Sequence, residues 1–491
     1  MSETEAPIRY VGAGVASVAY RLTERLRGAG FFVNTAAFPA VPAKRCGVRL
    51  TLTAHHTDDD VRGVLAALAE HLPAALADEG STVEDLRRAF SREFRGRPEV
   101  LPVAPAAPSP LRLEHVRSVL DVKSAEWDAR LGDRGAFDVA ALRTLESVFD
   151  TDDAERATDR WDFHYLTVRD LDAAPVAMTF FTTARWKDDM LSPAAVSAEV
   201  ERRRAEAGDP LYLTSPMVAM GSLLTEGDHL WLDRSRDWRT ALRLILQAAR
   251  AEEDRVGAAA VVLRDLPDGD EELHDFLIGE GLLRIPVFDS WVRDIDFTTD
   301  EEFLAGLPRR HRYHQRYRVL SWERAFRVEV LAGGTPAAEA VPAATRDHLY
   351  ALYRAVHARA LELNVFPLPR RVLDAVLGLP GWEVVLLHLP EGPDGPVAFA
   401  VQHVGATHVA PVFVGLDYRF VPTHHSYQQL LFQALHSARR HGVGQVLFGM
   451  SAGLHKARFG ARRERRWAYL QPTETYNADV LAHLAESTPA G

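Results

Sequence analysis

One order of elements occurs twice in this chain, and that recurrence limits its fold more than any other feature. Apolar alternation and short apolar runs predict strands at 164–169, 176–182 and 211–224, a helix at 238–255 and a strand at 258–263. A short helix at 271–279 and a strand at 287–295 complete the first copy. The same order returns as strands at 382–389, 397–404 and 408–416, a helix at 426–441, a strand at 445–448, a short helix at 454–459 and a strand at 467–470. Each third strand contains a proline, Pro216 and Pro411. Proline has no N–H for a ladder, so each position predicts an edge or a bulge. The same irregularity at the same place predicts one architecture used twice. Helices at 301–322 and 346–363 precede the second copy. Tyr427, Leu430, Leu431, Ala434, Leu435 and Ala438 fall on one face of the helix at 426–441. The fold class is α+β, with two tandem mixed sheets and helices on both faces.

A smaller unit precedes the repeat. Its spacing predicts a helix from Val15 to Leu26 ended by Gly28 and Gly30, a strand through Val48, Leu50 and Leu52, and a second helix. Thr57 before Asp58, Asp59 and Asp60 is a hydroxyl cap with acids in the first turn. A proline-rich stretch at 97–110 reads as a semi-extended linker. The expected domains are therefore 8–95, the linker 97–110, a first repeat at 111–298 and a second at 299–478. The total of 491 residues suits about three domains.

Composition removes several function classes. No apolar run approaches the ~20 residues that span a bilayer. The start, Met1 to Glu5, is acidic and has no apolar segment, which argues against a secretory signal and for the cytoplasm. Cys46 is the only cysteine, so no internal disulfide or cysteine-rich metal site is expected. The net charge of -11 argues against DNA as a partner. Only Lys44, Lys123, Lys187 and Lys456 are lysines among 57 basic residues, so any lysine-dependent chemistry has four possible origins.

The repeated order resembles the GCN5-related N-acetyltransferase fold in tandem, over about 111–475. Leu307-Pro308-Arg309-Arg310-His311-Arg312 and Leu454-His455-Lys456-Ala457-Arg458-Phe459-Gly460-Ala461 are similar to the BioF2-like and FemX-like branch of that fold. The resemblance implies transfer of an acyl or aminoacyl group, from a thioester or a tRNA ester, to an amine. The turn before the second long helix, Arg419-Phe420-Val421-Pro422-Thr423-His424-His425, has no glycine, unlike the phosphate-binding turn of ordinary members. Asp233-Arg234-Ser235-Arg236-Asp237 in the first copy lacks it too. A second resemblance covers about 8–75. Pro39-Ala40-Val41-Pro42 followed by Val48-Arg49-Leu50-Thr51-Leu52-Thr53-Ala54-His55-His56-Thr57 resembles the C-terminal small domain of pyridoxal-phosphate α-oxoamine synthases, the 8-amino-7-oxononanoate synthase group. It implies that Arg49 grips an amino-acid carboxylate. The large domain is absent, and none of the four lysines has the setting of a cofactor Schiff base, so pyridoxal chemistry is not expected of this chain alone.

Amide formation needs a neutral amine, a stabilised oxyanion and a proton for the leaving group. Lys456 is the leading catalytic candidate, as an oxyanion or phosphate contact; the bland alternative is a solvated helix lysine. His403 could take the amine proton, as could His408, His424 or His425, and Asp417 with Tyr418 could orient the acceptor. Tyr427, Arg458, Phe459, His424, His425, Arg309, Arg310 and Arg312 are candidates for holding donor or substrate; Arg316, Arg318, Tyr313 and Tyr317 belong to the same basic–aromatic run. A solvated helix face explains that run equally. His55, His56 and Asp58–Asp60 do not suggest a metal, since a strand end and a helix cap account for them.

The expected function is N-acylation of a small amine or amino-acid-derived product, linked to the pathway of an α-oxoamine synthase, mainly by the second repeat. The donor is an acyl thioester of coenzyme A or of an acyl-carrier protein, and no covalently bound cofactor is expected. Two alternatives remain: FemX-like transfer from aminoacyl-tRNA, and a non-catalytic partner that completes a split pyridoxal-phosphate synthase with a separate large-domain protein.

Overall fold

The computed structural model describes residues 7–53, 55–90, 110–150 and 156–472. The linker expected at 97–110 lies outside the described residues except for Pro110.

In the N-terminal unit, β1 (Ile8–Gly14), β2 (Asn34–Ala36) and β3 (Cys46–Thr51) form an antiparallel sheet of order β1-β3-β2. Its apolar side packs on helices Ala16–Gly28 and Asp58–Asp78. Thr57 and Asp60 close a reciprocal cap at the second helix, as the acidic first turn implied. Only β3 was expected as a strand. β1 carries Gly12, Ala13 and Gly14, and β2 has three residues, so neither leaves an alternating signal. The unit docks on helix Trp238–Val256 through Lys44 with Glu253, and Arg243 with Glu79 at 3.1 Å.

Among the described residues, fifteen further strands build two sheets. In chain order they are β4 (Arg112–Val116), β5 (Asp162–Arg169), β6 (Pro175–Lys187), β7 (Thr214–Met220), β8 (Trp231–Leu232), β9 (Ala260–Pro267), β10 (Leu283–Pro286) and β11 (Ser290–Asp294). Then come β12 (Arg327–Ala332), β13 (Trp382–His388), β14 (Ala398–Val404), β15 (His408–Leu416), β16 (Gln445–Gly449), β17 (Arg462–Glu464) and β18 (Arg466–Pro472). The first sheet runs β10-β18-β9-β7-β6-β5-β4, with β8 on β6; the second runs β12-β13-β14-β15-β16-β11-β17. Read from opposite ends, the two orders match position by position. All neighbours are antiparallel except β7 with β9 and β15 with β16. This is the tandem acetyltransferase-like α+β fold.

The matching has one consequence that periodicity could not reveal. β11 ends the first copy in the chain but lies between β16 and β17 of the second sheet. β18 ends the second copy but lies between β9 and β10 of the first. Each sheet therefore takes its strand beside the parallel pair from the other copy. One buried apolar cluster joins the copies, with Trp127 and Phe180 on one side and Trp382 and Phe399 on the other. Trp382 Nε1 donates to Thr144 Oγ1 across this junction at 2.9 Å.

The two prolines differ. Pro411 sits at a register shift between β14 and β15 that leaves Val412 without a ladder partner. Pro216 pairs with Arg185 in unbroken register, so the bulge expected there does not form. The Ala259 N–H donates to the Pro216 carbonyl at 2.9 Å. Residue 216 thus turns its polar edge toward β9, where a missing N–H breaks no bond to β6. The helix expected at 301–322 is interrupted at Gly306-Leu307-Pro308 into Asp300–Ala305 and Arg309–Gln315, followed by a wide turn over Arg316–Leu320. The helix expected at 346–363 is Ala343–His357.

Candidate active site

Each parallel pair is held over two residue pairs only: Val218 with Val261 and Ala219 with Val262, and His408 with Gln445 and Val409 with Val446. Beyond these pairs the strands part, and a cavity opens beside each. In the second sheet it measures about 190 Å³. Val446 and Phe448 pack with the long helix Ser426–His441, so by alternation Gln445, Leu447 and Gly449 face the other way, into this cavity. Asp133, Arg134, Glu226 and Asp228 enter from the first copy. Arg462 and Glu464 come from β17, at the edge of the second sheet, and Arg466 from the exchanged strand β18. Arg134 pairs with Asp228 at 2.6 Å and Arg466 with Glu464 at 2.5 Å. Val412, freed by the bulge, also lines it.

Lys456 lies behind the wall of this cavity. Its side chain is 4% exposed, not solvated. Nζ donates to the carbonyls of Met450 at 2.6 Å and Gly449 at 3.0 Å. Glu226 accepts from the Met450 N–H at 2.6 Å, so acid and ammonium grip one turn from two copies. Burial holds Lys456 down to about 8 against the pull of Glu226. Burial pushes the Glu226 carboxyl up, against the pull of Lys456. Gly449 has φ +73, and a Cβ there would meet Glu226 Oε2 at 2.4 Å. No spacing in the sequence singles out Glu226, because its partners lie more than two hundred positions away.

On the opposite face, cations gather at the start of helix Ser426–His441. That helix has no side-chain cap, and His425 precedes it at φ 55. Arg318 approaches His425 at 3.4 Å, and Arg458 approaches His314 at 3.3 Å. His314 is pushed down to about 4 by burial and by Arg458, His455, His425 and Arg318. Tyr427 packs edge-on to His455, and Trp322 edge-on to His424 and His425. Among the described residues neither Arg318 nor Arg458 forms an ion pair, and the buried Ser426 hydroxyl has no partner. Uncapped amides, unpaired guanidinium groups and an orphaned hydroxyl make an anion cradle.

The other candidates separate into two groups. Arg458, Tyr427, His424 and His425 belong to the cradle; Arg312 bonds back to the Leu307 carbonyl, and Arg309 and Arg310 are exposed. Phe459 is fully buried among Phe303, Phe432 and Phe448, and fixes the helix before it. His403 is fully buried with Nε2 at 3.2 Å from Asp138, tying β14 to the first copy, and does not line the cavity. His408, also buried, is pushed down to about 4 by burial and by His403. Asp417 is held by Arg419 at 2.6 Å, which lowers its carboxyl. Arg49 is exposed on β3. In the first copy Asp237 caps helix Trp238–Val256, placing a carboxylate where an anion would sit. Among the described residues no group of three or more His, Cys, Asp or Glu is disposed to hold a metal ion, and no helix is long and apolar enough to cross a membrane.

No family model matches the chain. Over 71 residues it is 34% identical to the 8-amino-7-oxononanoate synthase of Hahella chejuensis, covering 14% of this chain and 18% of that protein. Over 64 residues it is 44% identical to that of Stutzerimonas stutzeri, covering 13% and 16%. The chain thus spans less than a fifth of the length of these curated relatives. Among solved structures, FemX is similar with TM-score 0.45 and 12% identity, covering 76% of this chain and all of FemX (100%). A tandem GNAT protein from the clavulanic acid biosynthesis pathway has TM-score 0.41 and 16% identity, covering 74% and 99%. L-PGS from Bacillus licheniformis has TM-score 0.41 and 13% identity, covering 70% and 95%.

Proposed function

We propose that this chain is an N-acyltransferase whose second sheet brings an acyl thioester and an amine together from opposite faces. The observation that carries this reading is the gap between β15 and β16, with an anion cradle on one side and, on the other, a charged cavity that holds the Glu226 carboxyl. The phosphates of coenzyme A or of a carrier-protein arm sit at the start of helix Ser426–His441, near Arg318 and Arg458. The arm enters the gap between the strands. The acceptor amine enters the cavity, and Glu226 takes the proton that it must shed before attack. A carboxyl raised by burial suits that task near neutral pH. The amine nitrogen bonds to the carbonyl carbon, the C–S bond breaks, and the thiol leaves with a proton; Val412, freed by the bulge, supplies an N–H toward the oxyanion. Lys456 keeps the Gly449–Met450 turn in place beside Glu226. The cap at Asp237 and the N-terminal unit on its helix argue against a second donor site in the first copy. That unit, with Arg49 exposed, is read as a docking element linked to an α-oxoamine synthase, whose amine product is the acceptor class we favour.

A donor exchange tests this. Purified protein with a panel of acyl thioesters and primary amines should release free thiol in step with amide. Transfer that instead requires charged tRNA and is abolished by ribonuclease would replace the thioester with an aminoacyl ester.

A further inference from the structure

The cavity beside the other parallel pair differs in chemistry from the one described above. It measures about 210 Å³ and is lined mainly by apolar side chains, among them Met217, Val262 and Ile285. Val218 and Val261 pack on helix Trp238–Val256, so these walls face away from that helix, toward the second copy. Leu363 and Met450 of the second copy and Leu470 of the exchanged strand β18 close it. Besides Trp186, whose buried Nε1–H has no partner among the described residues, five charged or hydroxyl side chains reach it: Lys187, Asp188, Ser215, Arg264 and Asp265. Four are accounted for within the protein. Lys187 pairs with Glu201 at 2.6 Å and donates to Asn364 at 2.9 Å. Arg264 pairs with Asp265 at 2.7 Å and donates to the Ser222 and Thr225 carbonyls. Ser215 Oγ donates to Asp188 at 3.1 Å.

Asp188 is the exception. Its carboxylate accepts from that hydroxyl and, among the described residues, forms no ion pair. The neighbouring guanidinium groups are engaged: Arg204 with Asp189 and Glu201, Arg185 with Thr214. The cavity thus has an apolar body and, at its edge, one carboxylate without an ion-pair partner, which Arg204 and Arg185 reach only through space. A half-buried carboxylate without a counter-ion is costly unless a ligand supplies the cation.

We propose that this cavity binds a primary aliphatic amine, with the chain among Met217, Val262, Ile285 and Leu470 and the ammonium on Asp188. A cavity of ~150 Å³ holds one benzene ring, so this one suits a chain of about eight carbons. A fatty carboxylate has the wrong charge for it, and a short diamine would leave the apolar body empty. Burial, which raises the Asp188 carboxyl, agrees with a site completed by a cation. The inference does not depend on acyl transfer, because it concerns the first sheet and is read by binding alone.

Calorimetric titration of the full chain at pH 7 tests it, with n-octylamine, n-butylamine, 1-octanol and octanoate as probes. Octylamine should bind on the order of 100-fold more tightly than butylamine, from four more buried methylenes. It should bind at least about 10-fold more tightly than octanol, and octanoate should not bind measurably. Asp188→Asn should bring octylamine to the level of octanol, and Val262→Trp should abolish binding of both. Equal binding of octylamine and octanoate, or no preference for the longer amine, would overturn the proposal. So would undiminished octylamine binding in a folded Asp188→Asn. Should that variant fail to fold, the comparison of the four probes on the unaltered chain decides alone.

Discussion

Lys456 shows how much a side chain's setting departs from its local sequence. Its rarity singled it out, but a helix position rich in Arg and His suggested a solvated face. It is instead buried, with both acceptors on the turn at the end of β16. The unfolded chain holds that proton up to about 10.5, the folded chain only to about 8. The unfolded state therefore binds more protons between these values, and stability rises with pH across that window. Denaturant unfolding of the unaltered chain and of Lys456→Met should show the former gaining relative to the latter from pH 8 to pH 10. A constant difference would contradict a buried ammonium. Gly449→Ala puts a Cβ on the Glu226 carboxylate at a left-handed position. We expect about 1–3 kcal/mol of destabilisation in the same measurement. Glu226 itself was illegible, because nothing near it in sequence marks it as the partner of a turn at 449–450. His403 was legible as a strand residue but not as the cross-copy partner of Asp138.

Local periodicity revealed most elements, and chain-distant packing decided the rest. The long helix Ser426–His441 was readable from its apolar stripe, but that stripe understates its burial, since every residue from Gln428 to Leu435 is buried. The helix expected at 301–322 misled because the apolar spacing runs on across Gly306-Leu307-Pro308, where the backbone cannot. The bulge at Pro411 and its absence at Pro216 look alike in sequence. They differ only in which edge of the residue faces a neighbour. The basic run of 309–318 was visible as a run, yet the cradle takes Arg318 from it and draws Arg458, His425 and His455 from elsewhere. Inorganic pyrophosphate should therefore raise the melting temperature of the unaltered chain, and Arg458→Ser should remove at least half of that shift. Arg309→Ser, at an exposed position outside the cradle, should leave most of it. Equal loss in both variants would make the effect general charge screening rather than a site.

At the scale of the molecule, the tandem repeat was legible because two copies leave the same pattern twice. The exchange of β11 and β18 was not, since a strand's own residues do not say which sheet it joins. With each sheet completed by the other copy, the tandem body should unfold in one calorimetric transition. Halves expressed separately as 111–298 and 299–472 should be unstable, each lacking the strand beside its parallel pair and carrying one that has no sheet. Two well-separated transitions of the body would contradict the exchange. The account as a whole turns on one carboxylate at the parting of β15 and β16. Its most direct test is the rate of amide formation from a thioester and an amine by Glu226→Gln, compared with the unaltered chain at equal melting temperature. We predict a fall of at least about 100-fold. A rate within about twofold of the unaltered chain would contradict the central claim.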